Sequence, residues 1–587
     1  MKYLLSDTSN YDKFPFVNVK GFDKECWNGW ADIVRQIKHH CHQLHKDKIV
    51  IAAECYCGIL DCVAEELCNE LKPMRFFNSL DAFKSAEEIA EMVFDDVTDD
   101  ELFGFLTRLT IEDFFDRNKL ASLQTEIQHI SKGIVLLYGT GASLLADADI
   151  MLYFDMPRWE AQLRFRRNET SNLGADNKTE RASLQYKRAF FVDWRVCDRH
   201  KKALMPKWDY VLDTTNASSP KMISSEAFRE GLRNVVGRPF RVVPFFDPGP
   251  WGGQWMKEVC DLDKEAANYA WCFDCVPEEN SLLLKYGQVL FETPSINLVF
   301  FQPKELLGNA VYGRFGDEFP IRFDFLDTME GGNLSLQVHP LTEYIQQKFG
   351  FHYTQDESYY LLDAKEDACV YLGLKDNIEP AEMMAALKTS VASNVFDAEK
   401  YVEKWKVKKH DHLLIPAGTV HCSGANAMVL EISATPYIFT FKLWDWNRLG
   451  LDGRPRPINI AHGEKVIEWD RTACWTKDNL VNRITQIAEG DGWREEKTGL
   501  HELEFIETRR HWFSKKVMHH TNGGVNVLNV VEGEEVLVES ESNAFEAFVL
   551  HYAETFIVPA AVGQYSIRPY GKSEGKLCGT IKAVVRG

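Results

Sequence analysis

No stretch of this 587-residue chain approaches 18 uninterrupted apolar residues, so a membrane-spanning helix is excluded. The N-terminal Met1–Asn10 carries one Lys and three apolar residues in a row, too little for a secretory signal. A cytoplasmic protein is therefore expected, with its 14 cysteines as reduced thiols and not a disulfide framework. An excess of cations is also missing. Lys plus Arg is 67 against 87 Asp plus Glu, a net charge of −20, which argues against a nucleic-acid protein because phosphate contacts need clustered cations. There is no fixed-period repeat and no low-complexity segment.

Apolar residues at 45% and charged residues at 26% fit a globular chain of several domains. Residues 1–237 alternate apolar runs and helical patterns. Lys48–Ala53, Gly133–Tyr138 and Ile150–Phe154 read as buried strands, with a helix over Asp61–Leu71, which together predict a parallel sheet with crossovers. Residues 237–253, GRPFRVVPFFDPGPWGG, hold four prolines and four glycines and read as a domain junction. Beyond it short strands dominate: Asn297–Phe301, Ile321–Phe325, Leu334–Val338, Tyr359–Leu362, Leu413–Ile415, Met428–Ile432 and Tyr437–Phe441. A helical insert is expected at about 376–405. Val525–Val531, Glu535–Val538 and Phe556–Pro559 complete a last β-rich region. The expected domains are 1–237 (α/β), 238–480 (β with the insert) and 481–587 (a smaller β domain).

Three segments of the middle domain hold metal-capable side chains. Gln337 and His339 are two apart, so on a strand they share a face. Glu357 opens another predicted strand, and Pro416-Ala417-Gly418 makes a tight turn before His421. Two imidazoles, a carboxylate and an amide oxygen suit Zn²⁺ or a similar divalent ion. The order and turn chemistry follow those of a cupin β-barrel. The Gln-Val-His-Pro strand, with Gln337 in place of a first His, makes the segment resemble the type I mannose-6-phosphate isomerases. Pro250-Trp251-Gly252-Gly253, Val429-Leu430-Glu431-Ile432, Thr440–Arg448 and Pro455-Arg456-Pro457 extend the likeness over about 250–460.

That resemblance implies a multidomain fold with two β-barrel cupin domains, the second, with Tyr565 near an expected ligand position, free of metal. It implies one Zn²⁺ per chain at Gln337, His339, Glu357 and His421, and a small sugar-phosphate substrate. The activity implied is interconversion of mannose 6-phosphate and fructose 6-phosphate through a cis-enediolate. Lys442 stands where the family has its catalytic Arg, and Gln355 where it has a Lys. The first exchange keeps the charge but loses the bidentate fork. Arg448, Arg456 and Lys375 are candidate substrate-binding cations, with Arg314 a further one. These replacements also motivate an alternative, a regulatory cupin that binds sugar phosphate without turnover and uses a degenerate N-terminal kinase domain to sense a nucleotide or dock a partner. An Fe²⁺ oxygenase is a third, less suited to an amide ligand.

In the N-terminal domain, strand Lys48–Ala53, loop Glu54–Leu60 and the following helix have the placement of a phosphate-binding loop. A working loop needs Gly-x₄-Gly-Lys-Ser/Thr. Here only Gly58 survives, and Ile59 and Leu60 stand where the Lys and hydroxyl belong. With Gly139-Thr140-Gly141 and the Arg-rich stretch after Arg158, the domain resembles a uridine-kinase-like P-loop fold that has degenerated. Residues 158–202 carry twelve Lys/Arg against six Asp/Glu, a potential anion-binding face or a solvated lid. Cys272 and Cys275 read as a chance thiol pair, His42 and His45 as a helix face, and Cys55, Cys57 and Cys62 as candidate redox-sensitive thiols. No protein partner is identified from the sequence.

Overall fold

The apolar runs of the N-terminal half do form a parallel sheet. A computed structural model describes residues 3–5, 8–436, 438–499 and 501–586. The chain divides into two units, Phe16–Asn234 with Ser281–Phe301, and Met1–Pro15 with Val235–Asn280 and Gln302–Gly587.

In the first unit a seven-stranded sheet runs Cys26–Asn28, Lys221–Ser224, Tyr210–Asp213, Ile150–Asp155, Lys48–Cys55, Gly133–Gly139, Arg75–Asn78. The last five are mutually parallel. Lys48–Cys55 is buried at all but its first position, because helices Trp30–Gln43 and Asp61–Leu71 bury Ile33, Ile37, Val63 and Leu67 in one apolar cluster with its side chains. Asn297–Phe301, expected as a strand, is instead the helix Ile296–Phe301. A short apolar run does not distinguish the two. Here Asn297 Nδ2 donates to Thr293 Oγ1, and Phe301 packs edge-on against Trp208.

The cations of residues 158–202 do not form one free face. Arg158 pairs with Asp198, Arg164 with Glu160, and Lys201 with Asp155, all in the interior. His45 lies past the helix ending at Gln43, so it shares no helix face with His42.

In the second unit, each expected barrel is a pair of open sheets; none closes among the described residues. The first pair is six-stranded (His412–Ile415, Glu357–Ala364, Ala427–Ala434, Ile321–Asp327, Trp271–Cys275, Phe245–Asp247) and five-stranded (Val402–Lys406, Cys369–Leu374, His421–Ser423, Leu336–Val338, Phe441–Trp444). The sheets stay separate because three of the five-stranded sheet's members, Leu336–Val338, His421–Ser423 and Phe441–Trp444, are only three or four residues long and pair only with each other and with Cys369–Leu374. Ile321–Asp327 and Ala427–Ala434 are buried throughout. The insert is a helix, Pro380–Ser393, then a turn of helix, Ala398–Tyr401; Trp405 already lies on a strand. Of the expected strand Tyr437–Phe441, Tyr437 lies outside the described residues, and the observed strand is Phe441–Trp444.

The second pair is six-stranded (Thr485–Gly490, Trp493–Gly499, Ile506–Phe513, Cys578–Val585, Asn526–Glu532, Thr555–Val558) and four-stranded (Val517–His520, Gln564–Pro569, Glu535–Glu539, Phe548–His551). Leu528, Phe556, Tyr565 and Ile567 meet in its core. All 14 cysteines are free thiols, and no described helix is long and apolar enough to cross a membrane.

Candidate metal centre

The strand Leu336–Val338 lies between two partners. On one side Gln337 is paired directly with His421; on the other it faces Lys442. Directly opposed residues of an antiparallel pair point to one face, so Gln337, His421 and Lys442 form one row. Glu357 opens a strand of the other sheet.

The turn before His421 is held from several sides. Gly418 has φ 89°, where a Cβ would sit 2.7 Å from Glu468 Cγ. Its N–H donates to His339 O at 3.0 Å, linking the two histidine segments. The buried Arg471 donates from Nη1 to Pro416 O (2.9 Å), Ala417 O (2.5 Å) and Thr419 Oγ1 (2.6 Å).

Both imidazoles are oriented by backbone. His339 Nδ1 is 3.1 Å from Phe439 O and His421 Nδ1 is 2.8 Å from Thr419 O. A carbonyl accepts, so each Nδ1 carries the proton and each Nε2 presents its lone pair inward. Glu357 Oε2 lies 3.0 Å from His339 Nε2, and Oε1 lies 2.8 Å from His421 Nε2. Gln337 Nε2 is 3.2 Å from His421 Nε2, and an amide turned over would offer its oxygen there instead. Gln355 Nε2 donates to Glu357 Oε2 at 2.9 Å.

All three ligand-capable side chains are fully buried, and their nearest donor atoms lie within 4.8 Å of one another. Close as they are, His339 Nε2 and Glu357 Oε1 make no aligned hydrogen bond. Burial alone would raise the Glu357 pKa; positive charge on protonated His339 and His421 outweighs it and holds the carboxyl well below its usual range, and with the imidazoles neutral a bound cation would take that place. Two neutral imidazoles, one carboxylate and an amide in a buried pocket fit a tetrahedral zinc ion.

A charged layer that sequence reasoning missed lies beside these ligands. Glu357 is opposite Ser433, and Ser433 is opposite Arg322, so the three share a face. Arg322 pairs with Glu431 and, at 2.9 Å, with Asp324. Burial and the nearby Glu357 charge push the Glu431 carboxyl up to about 7. Arg322, Asp324 and Arg471 sit in apolar strands or outside the motifs and gave no signal; Glu431 was visible only as part of Val429–Ile432. Arg448 and Arg456 both hold Asp445, at 2.6 and 3.1 Å, and Lys375 holds Glu403 at 2.7 Å.

A family profile described as a domain of unknown function (DUF8485) matches residues 29–237. Mannose-6-phosphate isomerase ManA of Bacillus subtilis is 22% identical over 358 residues, 60% of this chain and 99% of that protein. Mannose-6-phosphate isomerase of Streptococcus mutans is 26% identical over 219 residues, 37% of this chain and 64% of that protein. Over about 60% of its length this chain is similar in sequence to mannose-6-phosphate isomerases. Among solved structures, the Bacillus subtilis mannose 6-phosphate isomerase aligns with 59% of this chain and 99% of its own, at 21% identity and a TM-score of 0.48.

Proposed function

We propose that the chain is a zinc-dependent aldose–ketose isomerase that interconverts mannose 6-phosphate and fructose 6-phosphate, with one ion per chain at Gln337, His339, Glu357 and His421. The observation that carries this reading is the grouping of three buried ligand-capable side chains, the backbone-oriented His339 and His421 with Glu357, in a chain whose relatives bear that enzyme's name. A zinc ion there would act as a Lewis acid toward the substrate's oxygens.

The chain's own residues handle charge and protons. A proton leaves C2 of the aldose and returns at C1, while the hydroxyl proton moves between the two oxygens, passing through a cis-enediolate. Lys442, in the row of Gln337 and His421, is the proposed cation for the enediolate charge. Glu431 is a buried carboxyl with raised proton affinity and is our candidate for a proton-transfer group. Arg448, Arg456 and Lys375 are the proposed cations for the substrate phosphate, which would share them with Asp445 and Glu403.

For the first unit we propose a kinase-like scaffold without phosphotransfer. Loop Glu54–Leu60 lacks the Lys and the hydroxyl, and the Glu54 carboxylate accepts the Gly141 and Ser143 N–H groups at 2.5 and 2.9 Å, where it would repel a phosphate.

Metal analysis coupled to a panel of sugar phosphates and free sugars tests the isomerase reading. Turnover of mannose 6-phosphate that follows zinc content supports it. Stoichiometric zinc with no sugar phosphate turned over would leave the regulatory reading in its place.

A further inference from the structure

The C-terminal pair of sheets has a polar interior that the metal centre does not use. Three cations stand directly opposite one another across neighbouring strands: Lys497 faces Arg509, and Arg509 faces Lys582. On its other side Lys582 faces Leu528, a core residue, so the row points into the space between the sheets. Like charges directly opposed on one face destabilise a sheet. Arg509 is neutralised by Glu507 at 2.5 Å and Glu495 at 3.1 Å. Lys497 and Lys582 have no hydrogen bond or ion pair from their side chains to a described residue. Lys582 is only 8% exposed, and burial pushes its ammonium down to about 8.

Two imidazoles border the same space. His511 is two residues from Arg509 on its strand and shares its face; its Nε2 lies 3.2 Å from Glu495 Oε1. His519 is paired across strands with Tyr565, on whose ring it stacks at 5.1 Å, and its centroid lies 4.4 Å from that of His511. His511 is 3% and His519 4% exposed, and neither nitrogen of His519 has a hydrogen-bond partner. Whichever tautomer His519 adopts, it offers one unused N–H.

We infer that this interior is a second ligand site, for a small phosphate-bearing molecule, with Lys582 as its principal cation and His519 as a neutral donor. An ammonium on a largely buried side chain and in no ion pair is costly, and so is a buried imidazole with no partner. The nearby carboxylates of Glu495 and Glu507 are engaged by Arg509 and leave Lys582 without a direct contact. A phosphate dianion offsets both costs, and the row Lys497–Arg509–Lys582 leads it from the half-exposed Lys497 inward.

Thermal unfolding of the full-length, zinc-loaded chain at constant ionic strength tests the site, with inorganic phosphate, mannose 6-phosphate and free mannose as separate probes. Inorganic phosphate at about 10 mM should raise the wild-type Tm by mass action and leave that of Lys582→Met unmoved. Without phosphate, Lys582→Met should melt higher than wild type, because an unpaired buried charge is gone. Calorimetry should show phosphate affinity falling at least about tenfold in Lys582→Met. A response to the sugar ester but not to inorganic phosphate would still assign the site to phosphate esters, provided that Lys582→Met reduces it, the remainder belonging to the zinc site. Equal phosphate binding by wild type and variant, a response to free mannose alone, or a Lys582→Met that melts lower than wild type would overturn the proposal.

Discussion

Lys442 is where a single side chain decides most. Its register opposite Gln337 gives it the face of the proposed ligands, and Asn459 binds its backbone from both sides, with Lys442 O accepting at 2.7 Å. Lys442→Met should cut isomerisation by about 10²–10³-fold with zinc content unchanged, since a contact to developing negative charge is lost. Steady-state kinetics beside metal analysis read both quantities; wild-type turnover in Lys442→Met would remove the residue from the mechanism. His421→Ala should release the ion and abolish turnover while the circular dichroism spectrum stays that of the wild type. The four proposed ligands were legible as residue types at strand and turn spacing. Arg322 and Arg471 were not, because a buried cation is defined by partners far along the chain, here Glu431 and the 416–419 turn.

Among elements, the turn Pro416–Thr419 carries the positioning. Arg471 donates to three of its oxygens, so Arg471→Leu should leave those acceptors unsatisfied and loosen the segment ahead of His421. Zinc affinity is expected to fall by about 10–100-fold, the usual cost of losing an outer contact to a ligand segment. Competition with a chelator measures it, and unchanged affinity would show that the turn holds its shape without Arg471. The strand-rich texture of the second unit was legible from short apolar runs between turn residues. The helix Ile296–Phe301 was not, because its apolar run satisfies either period and only its packing on Trp208 separates them. The same holds for closure. The family resemblance implied barrels, but hydrogen bonding between sheets is a long-range property that leaves no mark on local sequence.

For the whole molecule, acid sensitivity follows from buried histidines. His412 is fully buried, neither of its nitrogens has a hydrogen-bond partner, and burial, with the nearby Arg510 charge, pushes its pKa down to about 3. The unfolded chain therefore binds more protons than the folded one between about pH 6.5 and 3. Stability from this group is complete above that window and is lost as pH falls through it. Between about pH 7.5 and 5 its share is about 2 kcal/mol. Urea titrations at the two values should show that loss in wild type and a smaller one in His412→Leu; identical losses would place the acid sensitivity elsewhere. Phosphotransfer is the other property of the whole chain. No hydrolysis of ATP and no transfer from it is expected of the purified protein, and phosphate release that co-elutes with the chain through gel filtration would contradict that expectation.

In the proposed reaction this chain moves a proton between adjacent carbons of a sugar phosphate at a zinc site. Proton NMR of mannose 6-phosphate incubated in D₂O with the zinc-loaded protein tests it most directly. The expected result is fructose 6-phosphate formed together with some deuterium at the exchanging carbon, and loss of both when the ion is chelated. Zinc bound in stoichiometric amount, with mannose 6-phosphate unchanged and unlabelled, would contradict it.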